Sequence, residues 1–269
     1  MRNGSVVQEK GSIQELFRLD NKVALVTGGY GGIGAPVSRA LAAMGAKVAI
    51  AGHNAEKAAA SAESLRAEGY EAFATAFDAF SVAETEKLVA DVAGHFGQVD
   101  ILVNTVGLQR EEKAEDVTEA NFDHVISANL KGMMFQAQAA ARQMIRQGTG
   151  GKQIHFGSVR SLLALRGRGF AAYCAAKGGM SILCKQLAAE WAEHKINVNL
   201  LAPTFVRTQQ VARWLEDPEF YANLVGRIPL GRIAEPQDIV GAVLYFVSPA
   251  SDFVTGQTLY LDGGVTATQ

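Results

Sequence analysis

The chain has 269 residues, of which 48% are hydrophobic and 19% charged, and its formal net charge is −2. This composition is sufficient for a large buried core and excludes an intrinsically disordered chain. A charge balance so close to neutral gives no electrostatic basis for binding nucleic acid or an anionic membrane.

Two features of the chain bear on its location. Residues 1–20 are polar and of mixed charge, without the apolar stretch of a secretory signal peptide, and no run of 18 apolar residues predicts a membrane span. The two cysteines, Cys174 and Cys184, lie ten residues apart in one predicted helix, too far for a disulfide along a straight helix. We therefore expect reduced thiols and a cytoplasmic protein, and we predict no metal site.

Short apolar segments alternate with amphipathic segments along the chain. Strands are predicted at residues 22–27, 47–51, 73–77, 100–104, 153–156, 196–201 and 258–261. Helices are predicted at residues 33–44, 55–68, 82–96, 116–147, 171–192 and 236–247. Almost wholly apolar strands between helices indicate a parallel sheet covered on both faces. The prediction is one α/β domain at residues 20–269, with a Rossmann-like doubly wound sheet of about seven strands. Residues 1–19 form an extension expected to pack on the surface or on a neighbouring subunit.

A glycine-rich turn follows the first predicted strand, at the sheet edge where ligands bind in this architecture. Its glycines follow the pattern Gly28-x-x-x-Gly32-x-Gly34. Glycine allows a tight turn and a close approach of the backbone to a diphosphate, and the next helix offers free N–H groups to the anion. The turn therefore predicts a dinucleotide site, with Tyr30 and Ile33 as further contacts.

A tyrosine and a lysine, Tyr173 and Lys177, lie one turn apart on a long predicted helix and so share one face. A nearby ammonium group favours the phenolate form and lowers the pKa of a tyrosine. Lowering that pKa by about two to three units corresponds to about 3–4 kcal/mol of electrostatic stabilisation. The pair is a candidate acid/base, although the same spacing also occurs on solvated helix faces.

The glycine turn, the Tyr173–Lys177 pair, a serine upstream of it and an asparagine in the preceding helix resemble, in this order, the motifs of the short-chain dehydrogenase/reductase family. The resemblance runs from about residue 19 to the C-terminus. It implies an NAD(P)-dependent oxidoreductase that moves a hydride between nicotinamide and the carbon of a secondary alcohol or ketone. A positioned acid/base group then carries the proton to or from the oxygen.

The resemblance implies roles for four residues. By this resemblance Tyr173 is the catalytic acid/base, Lys177 lowers its pKa and binds the nicotinamide ribose, and Ser158 holds the substrate oxygen. Asn129 would support a water-linked proton relay to Lys177. The interval between Ser158 and Tyr173 is about two residues longer than is usual in the family, so Ser161 is a competing serine.

The same resemblance implies a cofactor site along the ends of the strands. Asp78 is expected to bind the adenine, while Val206 and Thr208 meet the nicotinamide amide and the diphosphate. Besides the glycine turn, Tyr173 and Lys177, the expected cofactor-binding residues are His53, Asp78, Asn104, Gly107, Pro203, Val206 and Thr208.

The choice between NAD and NADP depends on the segment after the second strand. An acidic residue there would accept the ribose 2′-hydroxyl of NAD, and an arginine would pair with the 2′-phosphate of NADP. The chain has His53 and neither of these. We expect NADP to be preferred because no carboxylate repels the phosphate. NAD stays open, since Gly31 stands where NADP-preferring relatives often carry a basic residue.

The substrate is expected to be a small molecule. Loops predicted around the pocket mouth carry arginines able to clamp a carboxylate, together with one glutamine: Gln109, Arg110, Arg160, Arg166, Arg168 and Arg207. Residues 208–230 lie where the family places its substrate lid, and Trp214, Phe220 and Tyr221 could close over a ligand.

Within the family, residues 171–179, 197–199 and 227–232 resemble gluconate 5-dehydrogenase-type members, which interconvert gluconate and ketogluconate. This resemblance implies a sugar acid as substrate. The alternatives are 3-oxoacyl-thioester reduction and, in a different class, a dinucleotide-binding protein without catalytic activity. The C-terminal residues 248–264 resemble the family's subunit-packing edge, which implies a homotetramer.

Overall fold

The structure is a computed structural model that describes residues 12–268, and seven parallel strands form one sheet within that range. The strands are β1 (Val23–Thr27), β2 (Lys47–Gly52), β3 (Ala72–Ala76), β4 (Ile101–Asn104), β5 (Gly151–Phe156), β6 (Ile196–Pro203) and β7 (Thr258–Leu261). Their spatial order is β3-β2-β1-β4-β5-β6-β7. Because the order reverses between β1 and β4, a crevice forms at the carboxyl ends of the central strands.

Helices follow the strands and cover both faces of the sheet. They are α1 (Gly34–Ala43), α2 (Ala55–Ala67), α3 (Val82–Phe96), α4 (Glu119–Ile126), α5 (Gly132–Gln147), α6 (Ala171–Trp191), α7 (Ala212–Leu215), α8 (Pro218–Val225), α9 (Pro236–Val247) and α10 (Val265–Thr268). Several begin at a side chain that accepts an N–H of the first turn, as Asn54 does for α2, Ser81 for α3 and Thr118 for α4. Single 3-10 turns lie at Glu15–Phe17, Val159–Ser161, Ala192–His194 and Pro249–Ser251.

The core consists of two apolar layers, one on each face of the sheet. Alternate residues of β1 point to opposite layers, with Ala24 and Val26 in one and Val23 and Leu25 in the other. Helices α1, α2 and α9 pack on the first layer, and α3, α5 and α6 pack on the second. Burial on both faces explains why the strands lack the polar-apolar alternation of a half-exposed sheet.

The predicted α/β fold is confirmed, with differences in the helix expected at residues 116–147 and in the segment after β6. That segment consists of α4 and α5 separated by a π-helical turn at Ser127–Lys131. Within the turn, Asn129 Nδ2 donates to the carbonyl of Val125 at 2.8 Å. A side-chain amide that takes a carbonyl four residues earlier competes with the backbone bond of an α-helix. The segment after β6, expected to be irregular, forms the short helices α7 and α8.

The predicted N-terminal extension lies partly outside the described residues, which begin at residue 12. In the described part, Leu19 is buried in the core and its N–H donates to the carbonyl of Met44 at 2.8 Å. Packing of residues 1–11 on the surface or on a neighbouring subunit stays a prediction. Across residues 12–268, no helix combines the length and apolar character needed to cross a membrane.

Candidate active site

A cavity of about 290 Å³ lies beyond the carboxyl ends of the central strands. The sequence-predicted residues that line it are Ile33, Gly107, Gln109, Ser158, Arg160, Tyr173, Lys177, Pro203, Val206, Thr208 and Trp214. The predicted catalytic and cofactor-binding residues outside its lining are Gly28, Tyr30, Gly32, Gly34, His53, Asp78, Asn104 and Asn129. The structure thus brings half of the predicted catalytic and cofactor-binding residues, from distant parts of the chain, into one cavity.

The glycine turn is packed so closely that side chains are excluded from it. Gly28 has a φ of +74°, and a Cβ on Gly34 would lie 2.1 Å from the carbonyl oxygen of Gly28. A Cβ on Gly32 would lie 2.6 Å from the Cβ of Thr208, across the cavity entrance. No side chain caps the first turn of α1. The N–H of Ala35 donates to the Gly31 carbonyl at 2.9 Å and Pro36 has no N–H. The N–H groups of Ile33 and Gly34 are therefore the candidate donors to the diphosphate of a dinucleotide.

The end of β2, where cofactor choice is expected to be made, carries aromatic and imidazole groups. The hydroxyl of Tyr30 lies 3.3 Å from Nδ1 of the exposed His53 and accepts the N–H of Asn54 at 3.0 Å. A Cβ on Gly52 would lie 2.5 Å from the Tyr30 ring, so the ring packs directly on the strand end. Asp78 is exposed after β3, and its Oδ1 accepts the N–H of Phe80 at 2.9 Å.

Asn104 lies beneath the cavity rather than in its wall. Its buried Oδ1 accepts from the Thr27 hydroxyl at 3.2 Å and from the N–H of Val106 at 3.0 Å. Thr105, which follows, donates from its hydroxyl to the Thr27 carbonyl at 2.8 Å. These bonds hold the turn after β4 against the end of β1. They thereby fix the positions of Val106 and Gly107 in the cavity lining.

Four predicted catalytic residues converge around the turn at Gly107. Ser158 and Tyr173 line the same cavity, and the Ser158 side chain lowers the pKa of Tyr173. The buried Lys177 Nζ donates to the Phe156 carbonyl at 2.8 Å. A Cβ on Gly107 would lie 3.2 Å from Asn129 Oδ1 and 3.5 Å from Lys177 Nζ, so both side chains pack against the backbone of Gly107.

Asn129 is held by the backbone of the loop after β4. Its Nδ2 donates to the carbonyl of Leu108 at 2.7 Å, and its Oδ1 accepts the N–H of Leu108 at 3.4 Å. The π-helical turn therefore orients the amide toward that loop, and the sequence pattern of a continuous helix did not predict this.

The expected lowering of the Tyr173 pKa by Lys177 is not found. Burial raises the pKa of Tyr173 to about 12, while the hydrogen bond from Ser158 and the charge of Arg160 lower it in part. Burial also lowers the pKa of Lys177 to about 7, and its ammonium lies 5.5 Å from the centroid of the Tyr173 ring. The physical reason is that both side chains leave water, which disfavours the charged form of each.

The two competing serines are separated by the structure. Ser158 lines the cavity together with Tyr173 and lowers the pKa of that tyrosine. The Ser161 hydroxyl lies 3.3 Å from the hydroxyl of Tyr260 and is not part of the cavity lining. The structure thus brings Ser158, and not Ser161, to the tyrosine.

The arginines predicted around the pocket mouth fall into separate groups. Arg110 donates to Asn121, and Arg207 pairs with Glu235 at 2.8 Å, both away from the cavity. A second cavity, of about 480 Å³, adjoins the first. It is called the arginine cavity here because its lining includes Arg160, Arg166, Arg168 and Arg227. Arg227 was missed as a site residue by sequence reasoning, since its position after α8 gave no sign of which way it faces.

The predicted lid residues divide between the two cavities. Trp214 of α7 lines the first cavity, and Phe220 of α8 lines the arginine cavity. Tyr221 is in neither lining, and it packs in a small apolar cluster with Ile228 and Val265, which line the arginine cavity. Sequence reasoning also missed apolar lining residues with no polar signature, namely Leu108, Leu165, Phe170 and Phe205.

Comparison with known proteins places the chain in a family. A family model described as enoyl-(acyl carrier protein) reductase matches residues 28–266. A gluconate 5-dehydrogenase of Gluconobacter oxydans is 38% identical, over 94% of this chain and 97% of its own. A D-threitol dehydrogenase of Mycolicibacterium smegmatis is 37% identical, over 93% of this chain and 95% of its own.

The fold agrees with a solved relative. A gluconate 5-dehydrogenase of Burkholderia cenocepacia, crystallised with NADP and tartrate, superimposes with a TM-score of 0.91 at 38% identity, over 96% of this chain and 100% of its own. This chain therefore belongs to the short-chain dehydrogenase/reductase family. It is an NAD(P)-dependent oxidoreductase.

The close packing of the glycine turn predicts the effect of a single methyl group. Gly34→Ala should weaken binding of NADPH by about tenfold to a hundredfold, because its Cβ would displace the backbone of Gly28 at about 1–3 kcal/mol. Quenching of protein fluorescence on titration with NADPH measures this. Gly94→Ala is the matched control, since a Cβ at Gly94 in α3 meets open space. Equal affinity of both variants and the wild type would show that the turn does not form the diphosphate cradle.

Proposed function

We propose that this protein oxidises a secondary alcohol of a sugar acid of the gluconate type, and reduces the corresponding ketone, with Tyr173 as acid/base. The observation that carries the proposal is that Ser158, Tyr173 and Lys177 line one cavity, in which Ser158 lowers the pKa of Tyr173. A substrate oxygen that meets both hydroxyls would lie within reach of a proton donor and a second hydrogen-bond donor.

The proposed roles follow from the position of each side chain. Tyr173 gives or takes the proton of the substrate oxygen, and Ser158 orients that oxygen and favours the phenolate form of the tyrosine. Lys177, whose pKa burial lowers to about 7, can exchange a proton near neutral pH. Asn129, like Lys177, packs against the backbone of Gly107 and would pass that proton onward through water.

The cofactor supplies the hydride or accepts it when bound. The glycine turn would hold its diphosphate at the uncapped start of α1, and Ile33, Pro203, Val206 and Thr208 would line the nicotinamide end. His53 and Tyr30 would meet the adenosine ribose, and Asp78 the adenine. We infer a preference for NADP, because the end of β2 offers an imidazole and no carboxylate to the 2′ position.

The sugar acid is inferred from relatives of similar length whose names specify gluconate, together with the arginines beside the cavity. The second candidate is reduction of a 3-oxoacyl thioester. The description of the matching family model, enoyl-(acyl carrier protein) reductase, shares the acyl thioester with this candidate but names reduction of a carbon–carbon double bond. Turnover of a panel of sugar acids, polyols and 3-oxoacyl thioesters decides between them.

The lid, the assembly and the location are also inferred. Residues 208–230 would close over the substrate through Trp214 and Phe220, which already line the cavities. A homotetramer would cover apolar side chains that are exposed in one chain, among them Ile182, Phe253 and Leu259. The cytoplasmic location stays a prediction from the sequence.

The acid/base role predicts that Tyr173→Phe removes activity but not cofactor binding. We expect kcat with gluconate to fall by at least about a hundredfold, because general acid–base catalysis contributes that much or more. Absorbance of reduced nicotinamide measures turnover, and NADPH fluorescence measures binding. Tyr245→Phe on α9 is the matched control, since it removes a phenol that lines neither cavity. Undiminished turnover by the Tyr173 variant would refute the assigned mechanism.

The serine assignment predicts a shift in pH dependence. Ser158→Ala should lower kcat/KM by about a hundredfold through loss of one preorganised donor. Its hydrogen bond lowers the pKa of Tyr173, so without it that pKa rises and the rise of oxidation rate with pH moves to higher pH. Pre-steady-state rates from pH 6 to 10 measure this. Ser161→Ala should stay within about twofold of the wild type, since surface changes away from the site rarely exceed 0.5 kcal/mol. The reverse pattern would make Ser161 the catalytic serine.

The cofactor preference predicts a switch at His53. His53→Asp should lower the ratio of kcat/KM with NADP to kcat/KM with NAD by at least about tenfold, since a carboxylate repels the 2′-phosphate and accepts the 2′-hydroxyl of NAD. His53→Asn, which removes the imidazole without adding a charge, should give a ratio between that of the wild type and that of the aspartate variant. An unchanged ratio in the aspartate variant would place the 2′ position elsewhere.

A further inference from the structure

The arginine cavity opens from the candidate active site and shares Arg160, Leu165, Thr204 and Phe205 with it. Among the residues that the structure describes, its lining contains no aspartate or glutamate. An extended ligand could therefore place its reacting carbon beside Tyr173 and its far end among positive charges. The question is which arginine is available to that far end.

The Arg168 guanidinium is already engaged in contacts with other side chains of the protein. Its guanidinium forms an ion pair with Glu111 and lies over two aromatic rings, 5.3 Å from the centroid of Phe170 and 5.6 Å from that of Phe220. The contact with Phe220 joins the loop before α6 to α8 of the proposed lid. Arg168 is thus a structural link whose charge is already balanced.

Arg160 is different. It is half-buried, and its Nη1 donates to the carbonyls of Leu163 and Ala164 at 3.1 and 2.7 Å. The titratable groups that act on it are Cys174, Tyr173 and Arg227, and none of these is a carboxylate. Burial and the neighbouring Arg227 guanidinium lower the pKa of Arg160. A held cation, facing a like charge and without a resident counter-ion, favours the entry of an anion.

The position of Arg160 relative to the tyrosine is also fixed. Arg160 follows Ser158 by two residues, and its side chain lines both cavities. Its charge reaches Tyr173, whose pKa it lowers. An anionic group bound to Arg160 would therefore belong to the molecule that reacts at Tyr173.

We propose that Arg160 is a specificity-determining residue that binds the carboxylate of the substrate at the junction of the two cavities. The inference rests on the proposed function and narrows its substrate class to open-chain hydroxy acids whose carboxylate lies several carbons from the reacting carbon. The two carbonyl bonds fix the guanidinium, and its other N–H groups form the charge-assisted bonds to the carboxylate.

The test compares gluconate with sorbitol, which has a hydroxymethyl group where gluconate has the carboxylate. Dissociation constants are measured by calorimetry with the full chain saturated with NADPH, so that gluconate is not turned over. Arg160→Met should weaken the binding of gluconate by about tenfold to a hundredfold, as expected for loss of hydrogen bonds between charged groups. The dissociation constant of sorbitol should stay within about twofold of the wild-type value. Arg160→Lys should restore part of the loss because it keeps the charge. Arg142→Met, which removes an arginine from the surface of α5, should change neither constant.

Three results would overturn the inference: gluconate bound equally by Arg160→Met and the wild type, equal weakening of gluconate and sorbitol, or no binding of gluconate to the wild type. A lysine variant that behaves like the methionine variant would also count against recognition by charge. NADPH affinity of each variant, measured by fluorescence, reveals a merely structural loss. A wild type that binds gluconate but gives no change in nicotinamide absorbance would instead refute the proposed function alone.

Discussion

The hydrogen bond from the Lys177 ammonium to the carbonyl of Phe156, at 2.8 Å, is the contact on which the site depends. Phe156 is the last residue of β5, so the bond fixes α6 against the end of that strand. Tyr173, one helical turn before Lys177, is thereby brought to Ser158, two residues beyond Phe156. The buried ammonium has lost most of its water, and the carbonyl bond offsets part of that cost. One buried lysine therefore sets the geometry of the site.

The parts of the fold that could be predicted from the sequence are those set by local spacing. Apolar strands, the glycine turn and the Tyr173–Lys177 pair depend on residues within one turn or one strand, so their patterns are visible in the chain alone. The π-helical turn at Asn129 was not predictable, because the backbone group that holds its side chain belongs to Leu108, 21 residues earlier. The periodic pattern of apolar residues in a helix does not reveal a partner so distant in the chain.

The electrostatics of the site could not be predicted for a related reason. Five arginines and one glutamine looked alike in sequence, yet Arg168 and Arg207 are balanced by Glu111 and Glu235, which are distant along the chain. The pKa of Tyr173 moves opposite to the prediction because burial, which spacing does not reveal, outweighs the effects of Ser158 and the charge of Arg160. Residue type thus predicted which chemistry is present, and tertiary neighbours decide which groups are free to perform it.

The charge of Arg160 has two roles in the site. It lowers the pKa of Tyr173, and in our proposal it also pairs with the carboxylate of the substrate. A resident glutamate beside it would relieve the cost of burying the guanidinium, but it would also cancel the positive potential that acts on both the phenol and the ligand. The absence of aspartate and glutamate from the lining of the arginine cavity is consistent with this conflict, because either residue would trade function for stability.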